Sequence, residues 1–358
     1  MADMEMLKEL TLAPGVSGYE HSIAKLMRKF VRKPDEVRYD NLGSIAFYLE
    51  GDSDCPRVLV IAHMDEIGFL VGGVTKDGFI KLQPVGGWSS QTLLSSQLKV
   101  LASNGEEYIG VIGSIPPHYK DKSSKDEVVK IEDMVLDVGT SSREEVEEYG
   151  IMLGDPIVPD VNCISLEKSR RIISKAWDDR AGIGVVIETL NYFTDQPHPN
   201  MLIGAGSVQE EIGMRGAYTV TDLVNPDIAF VVEGAPADDI PGMSNEPQTR
   251  VGGGAHIRMW DASMIAHPKL KKFVLDSARK SGIQFQCAVR KRGGTDGHAI
   301  HLSRKGVPTI VLGVPVRYAH SHRGIISLND YDEVLKLLRI LITNLDKKSY
   351  EKIVKADE

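Results

Sequence analysis

Two adjacent carboxylates, Glu210 and Glu211, stand in the stretch Met201–Ala217, MLIGAGSVQEEIGMRGA. Like charges that close raise each other's pKa, so such a pair at a strand end is costly unless something compensates. A divalent cation is one remedy, with one carboxylate ligating it and the other left free as a proton-transfer base. An isolated Glu-Glu pair is more commonly two solvated side chains on a loop, so other residues must decide. His63 ends the apolar run Val58–Ala62, and Asp65 follows two positions on. Asp178 follows the strand-like Arg171–Ala176, Glu233 follows Asp227–Val232, and His320 lies in RYAHSH after Val307–Gly313.

Each of these has an ordinary reading on its own. His63 could be a hydrogen-bonded core histidine, His320 and His322 surface residues, Asp178 a helix cap, and Glu233 beside Gly234 a turn residue. Together they place a His, Asp or Glu at five strand ends, and open α/β sheets bind ligands beyond the carboxyl ends of their strands. Imidazoles and carboxylates without thiolates suit zinc, cobalt or manganese. About five ligands crowd one ion; two ions about 3.5–4 Å apart, sharing a carboxylate, would acidify a bridging water to hydroxide. One carboxylate must then stay off the metals to move the proton from water to the leaving nitrogen. Asp65 is suited to orient the His63 imidazole.

The elements that must position these residues follow from patterning. Helices are expected over Met4–Leu12, Glu20–Phe30, Asp178–Tyr192, Lys269–Ser281 and Asp330–Lys347, with another starting at Gly213–Ala217. Glu36–Tyr39 and Ser44–Glu50 read as alternating strands around a turn. After Ile164 strands and helices alternate, which predicts an α/β fold with a mixed, mainly parallel sheet flanked by helices. Between Gly68 and Asp160 short strands dominate, with turns at Lys76-Asp77-Gly78 and Asn104-Gly105 and one helix at Ser141–Tyr149. This predicts an inserted small all-β barrel or sandwich at 68–160, within a catalytic domain formed by 1–67 and 161–358. His118–Lys130 is polar and reads as a surface loop.

Composition narrows the function classes. The 358 residues carry a net charge of −8, which argues against nucleic acid or an anionic membrane as partner. Apolar content of 42% and charged content of 26% fit a soluble globular protein. No apolar run approaches a membrane span, and the acidic start MADMEMLKEL lacks a signal-peptide pattern. Cys55, Cys163 and Cys287 form no paired motif, which suggests reduced thiols and a cytoplasmic setting.

AHMDEIGF, KAWDDRAG, SVQEEIG with RGA, VEGAPADDIPG, GGTDGHAIHL and RYAHSH together resemble the di-metal aminopeptidases typified by bacterial glutamyl aminopeptidase and the archaeal tetrahedral and deblocking aminopeptidases. Gly86–Trp88 and Gly113–His118 resemble that family's inserted domain. The resemblance implies a co-catalytic zinc peptidase fold. His63 and Glu233 would hold one metal ion, Glu211 and His320 the other, and Asp178 would bridge them. Glu210 would be general base and acid, and Asp65 would steady His63. Many relatives carry Asp where this chain has Glu233, a longer ligand with different geometry. Thr295 and Asp296 of the GGTDGH loop would shape the substrate pocket, unless the glycines there only permit turns; the basic run Arg290-Lys291-Arg292 could favour an acidic first residue or be a solvated surface run. Two zinc or cobalt ions per subunit, with manganese an alternative, short peptide substrates and homo-oligomers up to a dodecameric tetrahedral shell are further expectations. Two other functions compete. A glycoside hydrolase would also use paired carboxylates, but the chain is only 6% aromatic for stacking on sugars. A catalytically idle metal-binding assembly protein would not need Glu210.

Overall fold

A computed structural model describes residues 2–52, 55–119 and 128–355, so most of the expected polar loop, 120–127, lies outside the described residues. An eight-stranded sheet runs in the order Glu36–Tyr39, Ile45–Leu49, Met201–Ser207, Arg57–His63, Ile228–Pro236, Thr309–Val316, Ala255–Trp260, Phe285–Val289. The four strands from Met201–Ser207 to Thr309–Val316 are parallel, so their carboxyl ends share one edge. Register aligns Ser207 with His63 and Glu233 with Gly313.

Alternate residues of each central strand enter different cores. Val58 and Val60 pack with Leu7, Leu10, Val186 and Leu338 on one face. Leu59 and Ile61 pack with Val220, Val224 and Ile300 on the other. Burial on both faces explains why these strands read as unbroken apolar runs. The same cause corrects the expected alternation of Ser44–Glu50. All five residues of Ile45–Leu49 are buried, because the strand is covered on both sides.

A six-stranded closed antiparallel barrel is built from strands between Gly68 and Pro159. Phe69, Val71, Leu98, Val100, Ile112 and Leu136 fill it. The two expected turns carry Gly78 at φ 85° and Gly105 at φ 90°, a conformation glycine adopts without penalty. Trp88 stacks on Phe69 with ring centroids 5.0 Å apart and donates its indole N–H to the Gly68 carbonyl at 2.9 Å.

Two expectations about strand ends change. Arg171–Ser174 belongs to a separate three-stranded sheet with Ile164–Leu166 and Gly324–Ser327, so Asp178 does not follow a main-sheet strand. Glu233 is not at a strand end either, because its strand continues to Pro236. Among the described residues no helix is long and apolar enough to cross a membrane. Among the described residues, Cys163 and Cys287 form no disulfide.

Candidate metal centre

His63 is delivered by the end of a central strand and is 2% exposed. Its Nδ1 lies 3.1 Å from the Asp65 backbone carbonyl and 3.3 Å from Asp65 Oδ1. Nε2 points the other way, 3.3 Å from Asp178 Oδ1 and 3.8 Å from Glu233 Oε2. Across the cleft His320 Nε2 lies 3.6 Å from Asp178 Oδ2 and 3.6 Å from Glu211 Oε1. The two oxygens of Asp178 therefore face two imidazoles, each with its own glutamate. Asp178 reaches this position at the start of the helix Trp177–Phe193, with φ −89° and ψ 99° outside the helical region. Gly234 makes room for it: a Cβ there would meet the Trp177 carbonyl oxygen at 2.5 Å and Asp178 Cα at 2.6 Å. The glycine beside Glu233 thus serves close packing inside a strand rather than a turn.

Both triads, His63–Asp178–Glu233 and Asp178–Glu211–His320, bring their ligand atoms within 4.8 Å of one another. Ligands about 2.1 Å from a tetrahedral ion sit about 3.4 Å apart, close to the 3.3–3.8 Å observed. Electrostatics agree. Burial, then the charges of Asp179 and Asp178, push the Glu233 carboxyl well above its usual range, although His63 opposes. Burial pushes Glu211 up to about 7 in spite of His320. Glu233 Oε1 is buried and has no hydrogen-bond partner among the described residues. Crowded carboxylates with an orphaned buried oxygen fit a divalent cation, which would supply the missing partner and the missing charge.

Glu210 lines the same cleft but belongs to neither triad. Burial, then Glu233, Asp296 and Glu211, hold it well above the usual carboxylate range, with His63 opposing. Asp65 ties the segments that follow the two strands together: Oδ1 accepts from Glu210 N at 3.0 Å, and Oδ2 from Glu211 N at 3.1 Å and from Ser17 Oγ at 2.6 Å. Burial alone would raise Asp65, but its hydrogen bond and charge contact with His63 outweigh that and lower it.

The expected substrate-contact residues divide. Arg292, Gly293 and Gly294 line the cleft. Thr295 and Asp296 are each 1% exposed and do not line it; the loop turns inward, where Asp296 accepts from Ser207 Oγ and Thr295 Oγ1 from Gly297 N. Arg290 is not a solvated member of a basic run, since it pairs with Asp238 at 2.9 Å on the cleft wall. Trp177 is 1% exposed and belongs to the core.

Several residues escaped the sequence reading. Asp179 is fully buried; its Oδ2 accepts from His63 N at 3.3 Å and Oδ1 from Gly182 N at 2.9 Å. The Asp178-Asp179 pair was as visible a signal as Glu210-Glu211. Lys175 binds Glu66 Oε2 at 2.6 Å, and Arg180 donates to the carbonyls of Met64, Leu10 and Ala13 at 2.8–2.9 Å. This buried network fixes the segment that carries Asp65. Arg258 lines the cleft from the strand Ala255–Trp260.

Comparison with known proteins places this architecture. The family model for M42 glutamyl aminopeptidase matches residues 43–337. Glutamyl aminopeptidase of Lactococcus lactis subsp. cremoris (strain MG1363) is 34% identical over 353 residues, covering 98% of this chain and 98% of that protein. A TET aminopeptidase from the marine sediment archaeon Thaumarchaeota archaeon SCGC AB-539-E09 has a TM-score of 0.94 at 38% identity, covering 98% of this chain and 99% of that one. The TET1 peptidase of Pyrococcus horikoshii, which can assemble into a tetrahedron or a large octahedral shell, has a TM-score of 0.85 at 31% identity, with 96% and 99% covered. With fold and sequence matching these relatives along nearly the whole length, and the family model matching residues 43–337, this chain belongs to the M42 glutamyl aminopeptidase family of peptide hydrolases.

Proposed function

We propose that the chain is a two-metal aminopeptidase that releases the first residue of short peptides. The observation that carries this reading is the pair of triads sharing Asp178, with Glu210 beside them and in neither. His63 and Glu233 would hold one ion, Glu211 and His320 the other, with Asp178 common to both. Two divalent ions, zinc or cobalt by ligand chemistry and manganese as a further fit, would acidify the attacking water and polarise the scissile carbonyl. Glu210 takes the proton from that water and returns it to the leaving nitrogen as the peptide bond breaks. Asp65 keeps the His63 ring turned so that Nε2 faces the cleft. The buried acids around Asp178 offer a seat for the free α-amine, which favours removal of terminal residues over internal cleavage.

The cleft wall supports an acidic first residue. Arg258, Arg290 and Arg292 line it. Arg290 is matched by Asp238 at 2.9 Å, and Arg258 shares Asp261 through Nη1 at 3.3 Å. The positive charge of this wall would attract an incoming carboxylate and repel a lysine side chain. Cys163 and Cys287, in no disulfide among the described residues, fit a cytoplasmic setting, and the barrel is the element we assign to subunit contacts in a homo-oligomer, up to a dodecameric shell. The test is hydrolysis of glutamyl-, leucyl- and lysyl-p-nitroanilides with and without a chelator. Expected is chelator-sensitive cleavage, fastest on the glutamyl substrate; cleavage that survives metal removal contradicts the mechanism.

A further inference from the structure

The two candidate ion sites draw on different parts of the chain, and one of them reaches into the barrel. His320 Nδ1 lies 2.8 Å from the carbonyl oxygen of Gly87, 233 positions away. Gly87 follows the barrel strand Ile80–Val85, and its neighbour Gly86 turns the chain at φ 77°. The approach is tight. A Cβ on Gly87 would meet His320 Nδ1 at 3.2 Å, and one on Gly86 would meet Ile67 Cγ2 at 2.4 Å and Glu211 Cβ at 3.4 Å. The next residue, Trp88, fastens this segment to the barrel through its stacking on Phe69 and its bond to the Gly68 carbonyl.

We infer that the barrel supplies part of the metal centre, with the Gly87 carbonyl acting as the positioning group for His320. A carbonyl can only accept, so it selects the tautomer with a proton on Nδ1 and leaves the Nε2 lone pair toward Asp178 and Glu211. The His320 ring has few other constraints: it sits on a loop and 40% of the side chain is exposed. The inserted segment is then more than an assembly element, because the ion site of Glu211 and His320 is incomplete without it. The inference rests on the two-metal reading above.

The experiment titrates metal-free full-length protein with cobalt, following visible absorbance and counting bound ions by elemental analysis. Wild type should bind two ions; fewer would refute the two-metal reading itself, not the role of Gly87. Gly87→Ala should weaken one ion by about 10–100-fold, as loss of an outer partner does, and leave the other unchanged. Gly73→Ala, where a Cβ meets nothing nearer than Lys81 Cδ at 3.7 Å, is the barrel control and should bind as wild type. In a double-variant cycle, adding Gly87→Ala to His320→Ala should cost the remaining ion nothing. Two ions bound with wild-type affinity by Gly87→Ala, or equal weakening of both, would overturn the inference. If thermal melting shows that Gly87→Ala does not fold, Trp88→Phe decides, since it keeps the stacking and loses the bond to Gly68. Weakening of the same single ion supports the role of the barrel, and unchanged binding of both overturns it.

Discussion

His63 closes a strand in the middle of the main sheet and is 2% exposed, whereas His320 rides a loop with 40% of its side chain exposed. The first half of the site is assembled by the sheet itself. Glu233 lies in the neighbouring parallel strand, in register with Gly313, and Asp179 accepts from the His63 backbone. The second half is assembled by packing between distant pieces. His320 has φ 57°, unusual for a residue with a side chain, and is held by Gly87 from the barrel and by the loop's own closure through Arg317 and Ile325. A centre built this way should hold its two ions unequally, the sheet-borne one more tightly.

The sharpest break of that comparison touches neither half. Glu210→Gln should lower turnover about 10²–10⁴-fold and leave both ions bound, as measured by kcat beside elemental analysis. Next, Asp65→Asn should weaken the His63-side ion about 10–100-fold in cobalt titration, because the amide loses the negative charge and keeps only one of the two acceptor oxygens that serve the His63 ring, Glu210 N and Glu211 N. Chelator dialysis of wild type should release one ion well before the other, and the protein retaining one ion should match His320→Ala in its cobalt spectrum.

A smaller effect concerns the loop. Arg317 grips Asp239 through both carboxylate oxygens, at 2.8 and 2.6 Å, three residues before His320. Burial works against ionisation of Asp239, but its bond to Arg317 prevails and holds its pKa below the usual 3.8. The native state therefore binds this proton less readily than the unfolded chain. The stabilisation is full above about pH 4 and is lost as pH falls through the lower native value. Arg317→Gln should cost about 1 kcal/mol near pH 7, as for a partly exposed charged pair. The difference from wild type should shrink as pH falls below about 4 and vanish once it is below the lowered native value, as read in denaturant melts.

The sheet-borne half was the legible one. A run of five apolar residues ending in histidine reads as a buried strand that carries His63 to the sheet edge, although its partner Glu233 proved to lie inside a strand and not at its end. The other half was legible as residue types but not as geometry. Asp178 was assigned to the wrong sheet because Arg171–Ser174 looks like any other short strand. Strand Ala255–Trp260 went unseen because His256 and Arg258 are polar yet buried, which breaks the apolar pattern. The hold of Gly87 on His320 involves a backbone carbonyl, so no side chain marks it. The same holds for Asp296, whose type suggested a ligand contact but whose loop turns it under Ser207.

The most direct test is a crystal soaked in cobalt and measured by anomalous scattering. Two peaks are expected, one about 2.0–2.2 Å from His63 and Glu233 and one as close to Glu211 and His320, both touching Asp178, with the Glu210 carboxylate bound to neither. A single peak, or a metal ligated by Glu210, would contradict the shared-aspartate centre on which the proposed chemistry stands.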